Sequence, residues 1–161
     1  VCAALVALLA IGFKIILTNK IINNMKTKII VSEFTHDDLT CLLSTALYGS
    51  YWAGAGYDKE VYKTLSETHG NCFEEKLADM LLAGHKISIT DYEAEGEKYS
   101  NNFVGFNGEN AVYKVGLNDF LHVASTQKGY NLAKDVISGE GDFYTADSFL
   151  QRVVLGKEIY G

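Results

Sequence analysis

None of the 161 residues is proline, where about 5% is usual. Proline-rich linkers, polyproline ligands and native cis-proline turns are therefore excluded. Helices in such a chain must be ended by other residues, and the sequence supplies them. Glycine follows nearly every apolar periodic stretch, and Thr, Asn or Asp precedes most of them. This is the stop-and-start chemistry of short helices.

Lys28–Phe34 (KIIVSEF) is β-branched and reads as a strand. Thr35 precedes the first helical stretch, with Asp38 three residues on as an approximate capping box. Leu39, Leu42, Leu43, Ala46 and Leu47 then recur at helical spacing over Asp37–Tyr48, and Gly49 ends the run. Tyr51 to Tyr57 (YWAGAGY) reads as an aromatic, glycine-rich loop. Asp58 caps a second helix carrying Val61, Tyr62 and Leu65. A third opens at Asn71 or Cys72, has Phe73, Leu77, Met80 and Leu81 on one face, and stops at Gly84. Lys86–Tyr92 alternates, with Ile87, Ile89 and Asp91 on one side, and is expected to be a strand. An acidic turn, Glu93–Glu97, leads into a return strand from Lys98. Ala111–Val115 is another strand, and Asn118 caps a helix over Asp119–Gln127. Leu132, Val136 and Ile137 mark a further helical segment ended by Gly139. Thr145 caps the last helix, Ala146–Leu155, which Gly156 stops before a closing strand at Lys157–Tyr160. Helices interleaved with short strands, several of them paired as hairpins, define an α+β domain. The expected architecture is a small, mostly antiparallel sheet packed against about five helices.

Charge divides the chain at Met25. Residues 1–24 carry Lys14 and Lys20 and no acid, whereas 12 basic and 20 acidic side chains follow, a net −8. An acidic domain without a basic stripe is not suited to the phosphate backbone of duplex nucleic acid. Val1 to Phe13 is uninterruptedly apolar, shorter than the roughly 20 residues needed to cross hydrocarbon unless Lys14 snorkels. Met-Lys-Thr-Lys at residues 25–28 reads as a natural start, which makes 1–24 a translation artefact; a membrane anchor and a core helix are the alternatives. An anchor would leave the basic side, and hence residues 25–161, in the cytoplasm. Residues 25–161 are read as one domain.

Two stretches, Leu77–Tyr99 (LADMLLAGHKISITDYEAEGEKY) and Thr145–Gly161 (TADSFLQRVVLGKEIYG), are helix–glycine–strand joints. With the opening MKTKIIVSEFTHDDL they resemble small acidic proteins encoded by phages and prophages of Gram-positive bacteria. The resemblance covers most of 25–161. It implies a setting, the bacterial host cytoplasm, and an accessory role such as inhibiting host defence. It supplies no catalytic residues to carry over.

Tyr48, Tyr51, Trp52 and Tyr57, with Asp58 beside them, form the densest aromatic cluster. Glycines there allow close backbone approach, and aromatic faces can stack on a base. The expected ligand is a nucleotide-like signal, and the alternative partner is a host protein. The same side chains serve equally as core residues with a polar edge. The glycine spacing is neither a dinucleotide fingerprint nor a P-loop, so no cofactor is expected. His69 and Cys72 are the alternative, as base and nucleophile of a thiol-dependent enzyme, since a thiol at a helix start is activated. Glu74 and Glu75 nearby oppose that. No CxxC pair or HExxH exists, so no metal is expected. The carboxylates along the chain, Glu93, Glu95 and Glu97 among them, suit a solvated surface or imitation of nucleic-acid phosphates. The primary expectation is a non-enzymatic binding protein; the alternatives are the thiol-dependent enzyme and a purely structural interaction module.

Overall fold

The computed structural model describes residues 33–94 and 100–161. The expectations for residues 1–24, for the first strand over 28–32, and for the turn and return at 95–99 lie outside the described residues. Glu33 and Phe34, the last two residues of that expected strand, are not in one. The described chain is α+β, as the pattern predicts. Its elements are α1 (His36–Leu47), β1 (Ala53–Gly56), α2 (Lys59–Tyr62), α3 (Phe73–Leu82), β2 (Ile87–Asp91), β3 (Phe103–Asn107), β4 (Asn110–Val115), α4 (Leu117–Ala124), α5 (Gln127–Ile137) and α6 (Phe143–Leu155).

The four strands form one antiparallel sheet in the order β1-β2-β4-β3. Period-two alternation explains its inner face. Ile87, Ile89 and Asp91 of β2 and Ala111, Tyr113 and Val115 of β4 are all buried. The helices supply the rest of the core: Leu39, Leu42 and Leu43 of α1, Leu77, Met80 and Leu81 of α3, and Phe149, Leu150 and Val154 of α6. Helix α6 packs against α1, α4, α5 and β4, which places it at the centre.

Capping chemistry sets the boundaries and accounts for the departures. Thr35 Oγ1 accepts from Asp38 N at 3.1 Å and Asp38 accepts from Thr35 N at 2.9 Å, the expected capping box. Helix α6 starts earlier than expected because Asp142, not Thr145, is its cap; Asp142 Oδ1 takes both the N–H and the hydroxyl of Thr145. Gly156 ends it at φ +78, a left-handed conformation that favours glycine. Asp119 accepts from Gly116 N, so α4 begins before Asn118. Thr126 accepts from Gly129 N and opens α5 as a separate helix. Helix α2 is a single turn that stops short of Leu65; the Thr64 hydroxyl donates to Val61 O and competes with the backbone ladder.

Three corrections concern the sheet. The segment read as a loop, Tyr51–Tyr57, contains edge strand β1, whose Ala53 pairs with Asp91 and Gly56 with Ser88. Strand β2 therefore pairs with β1 and β4, and the return strand β3 pairs with β4 instead. The closing segment Lys157–Tyr160 is not a strand. The Gln151 side chain replaces a ladder there: its Oε1 accepts from Ile159 N (2.6 Å) and Tyr160 N (2.8 Å), and its Nε2 donates to Tyr160 O (2.8 Å).

Candidate functional site

Helix α3 buries Leu77, Ala78, Met80 and Leu81, and among them it also buries Asp79. An ionised carboxylate out of water requires donors, and three other segments supply them. Tyr62 Oη, at the end of α2, donates to Asp79 Oδ2 at 2.9 Å. The backbone N–H of His69 lies 3.1 and 3.0 Å from the two oxygens, and that of Gly70 is 2.9 Å from Oδ2. A Cβ on Gly70 would come within 2.9 Å of the same oxygen, so this approach requires glycine. His36 Nε2, at the start of α1, stands 3.4 Å from Oδ1 and 3.2 Å from Glu75 O. His69 Nδ1 is 3.5 Å from Oδ1, and the two imidazoles lie 5.5 Å apart at 53°.

Burial pushes the Asp79 carboxyl up. The His69 N–H, the Tyr62 hydroxyl, the Gly70 N–H and the neighbouring His36 outweigh it and hold Asp79 below the usual carboxylate range. Burial, and then the bond to Asp79, raises the Tyr62 hydroxyl above its ordinary value. The knot is charged and tightly held.

Asp79 also forms part of the wall of an open cleft of about 470 Å³. Thr64 to Glu67 and His69 line it together with Leu82, Ala83 and His85, at the C-terminal end of α3. Polar groups thus face a cavity whose wall is fixed from behind.

The structure scatters the aromatic residues expected to bind a ligand. Trp52 is completely buried, stacked on Tyr160 at 5.2 Å, and its Nε1 donates to Asp147 Oδ1 at 2.6 Å. Tyr57 packs against Tyr62 and Phe73 at 5.3 and 5.9 Å. Asp58 is spent on capping α2, accepting from Glu60 N and Val61 N. Tyr51 meets Tyr160 edge-on, and Tyr48 is 85% exposed beside Phe143 at a shallow hollow. Strand β1 stands between Trp52 and Tyr57.

His69 and Cys72 are not brought into contact among the described residues. The His69 ring is turned to Asp79 and His36. Cys72 is exposed and occupies the cap position of α3. The Cys72 and Asn71 N–H groups donate to Glu75 Oε2 at 3.0 and 2.5 Å and hold that carboxyl below its ordinary value. Among the described residues, no three His, Cys, Asp or Glu side chains are arranged to hold a metal ion. Nor is any described helix long and apolar enough to cross a membrane.

Asp79, His36 and Tyr62 are functional candidates that the sequence reading missed. A lone acid among Leu77, Met80 and Leu81 is a readable signal. Its partners, drawn from three other segments, are not. No protein-family description, curated protein sequence or solved structure matches the chain.

Proposed function

We propose that this protein is a non-enzymatic binding protein whose contact surface is the cleft beside Asp79. One observation carries the reading: an open cavity of about 470 Å³ with one wall held rigid by the Asp79 knot. That volume lies within the range of small-molecule sites, roughly 300–1,000 Å³. Rigid walls lower the ordering cost of binding. The accessory role in a phage setting, implied by resemblance, belongs to this reading, with a host protein or a small signal molecule as partner. The thiol-enzyme reading is weaker, since His69 is engaged by Asp79 and Glu75 sits at the thiol.

Native mass spectrometry of gently purified protein tests the proposal. A bound adduct is expected in the wild type and in Tyr48→Ala. It is expected to vanish in Ala83→Trp, which fills the cleft from an exposed position. Loss in Tyr48→Ala with retention in Ala83→Trp would move the contact to the aromatic hollow and end the cleft reading.

A further inference from the structure

The charge around the cleft narrows what it can hold, and this step rests on the binding reading above. Its lining contains two carboxylates, Glu67 and Asp79, and neither lysine nor arginine. The lining also includes the C-terminal end of α3, where the N–H groups of Ala83, Gly84 and His85 fold back onto Asp79, Leu81 and Met80 carbonyls. That end of a helix bears partial negative charge, and α3 has no basic residue in its last turn to offset it. The Thr64 and Ser66 hydroxyls and the imidazole rings of His69 and His85 add polar groups that can accept. A phosphate entering here would meet the exposed Glu67 carboxylate, the charge of the buried Asp79 and a helix C-terminus, with no lysine or arginine to receive it. Leu65 and Leu82 provide apolar contact for a hydrocarbon stem.

We infer that the cleft binds an organic cation, an ammonium or guanidinium group on an aliphatic stem, and not a nucleotide. Such a group pairs with the exposed Glu67 carboxylate and the Thr64 and Ser66 hydroxyls, in the field of the buried Asp79 charge and the helix C-terminus, and its stem lies along the two leucines. The cation can arrive as a free amine or as a basic side chain of a partner protein.

Amide NMR titration of the full chain at low ionic strength tests this with four probes: agmatine, spermidine, a short arginine-containing peptide and ATP. Cations are expected to shift the amides of Thr64–His69 and Leu82–His85, and added salt should weaken them. Glu67→Gln should weaken agmatine about threefold, as for an exposed ion pair, and Glu67→Lys should remove binding. Glu67 is exposed, so both variants keep the fold. Response to the free amines indicates a metabolite, and response to the peptide alone indicates a basic protein segment; either supports the inference. ATP shifting these amides while the cations do not overturns the cation assignment and leaves the binding reading standing. Silence from all four probes, with Ala83→Trp leaving any native adduct in place, overturns both.

Discussion

Two buried aspartates, each bonded to a tyrosine hydroxyl, lie in different regions and behave in opposite ways. Asp79 receives Tyr62 Oη and two backbone N–H groups, and its carboxyl is held below the ordinary value. Asp91, fully buried on the inner face of β2, receives Tyr160 Oη on both oxygens (3.0 and 2.9 Å) and the Glu93 N–H. There burial outweighs the hydrogen bonds, and the carboxyl is pushed up. Both carboxyls have backbone donors, Asp91 from Glu93 and Ala94. The difference lies in the deeper burial of Asp91 and in the neighbouring charge: His36 favours the ionised Asp79, whereas Glu93 disfavours the ionised Asp91. The first region keeps its charge and borders a cleft. The second lies beneath the C-terminal segment 157–161, with Trp52, Asp147 and Gln151 completing a polar network inside the core. One aspartate fixes a surface; the other helps close one.

The largest effect should come from breaking the closed region. Trp52→Ala removes a fully buried indole, its stacking on Tyr160 and the donor to Asp147. Deleting a buried Trp costs about 3–5 kcal/mol, and Asp147, which keeps the Gln151 amide but loses the indole donor, adds to it. Urea unfolding should show a loss of about 4 kcal/mol or more. A well-folded Trp52→Ala with a minor loss would mean that Trp52 is not committed to the core, and would return the aromatic segment to consideration as the binding surface.

The next effect tests the sign of the comparison. Asp79 is depressed in the folded state, so its contribution is present above the unfolded value, near ~3.9, and fades as pH falls through the folded one. Asp79→Asn should therefore cost about 2–3 kcal/mol at neutral pH, as losing hydrogen bonds to a charged group does, and progressively less below about pH 4. Asp91 is raised, so its ionised form opposes folding at neutral pH, and this cost disappears as pH falls through its unfolded value. Asp91→Asn retains an acceptor for Tyr160 and should do least harm near pH ~7 and relatively more in acid. Unfolding free energies of both variants against wild type, from about pH 7 to about pH 3, should slope in opposite directions. Parallel slopes would abolish the distinction between the two regions.

What the sequence made legible follows the same division. Local chemistry was readable: the Thr35–Asp38 box, the Gly156 stop, and the alternation that put Ile87, Ile89 and Asp91 on one face. Each depends on residues a few positions apart. The destinations of polar and aromatic groups were not, because they depend on partners far along the chain. Trp52 reaches Asp147, and Asp91 reaches Tyr160. An aromatic, glycine-rich stretch looked like a ligand loop because nothing local shows that Ala53–Gly56 has Ser88–Asp91 beside it. The site was hidden for the same reason. His36, Tyr62, His69 and Asp79 sit on four separate segments, and only the packing of α1 against α3 brings His36 to the cluster.

The smallest predicted effect separates binding from chemistry in the open region. Cys72 stands at the cap of α3 with no side-chain capping bond, and the capping carboxylate is Glu75. Serine is among the preferred residues at this position, with a hydroxyl that accepts from the first turn. Cys72→Ser should leave the two backbone N–H bonds to Glu75 intact, and the serine hydroxyl can take over the side-chain bond that the thiol makes to the same carboxylate. A stabilisation of about 0.5 kcal/mol is expected, measurable by thermal unfolding, with ligand affinity at the cleft unchanged. The measurement is informative because the two readings diverge here. A thiol nucleophile would make this exposed position indispensable, so a variant that folds normally yet loses function would reassign the open region to catalysis with His69. Retained function, together with the small gain in stability, leaves Cys72 as a helix cap and the region beside Asp79 as a surface for binding.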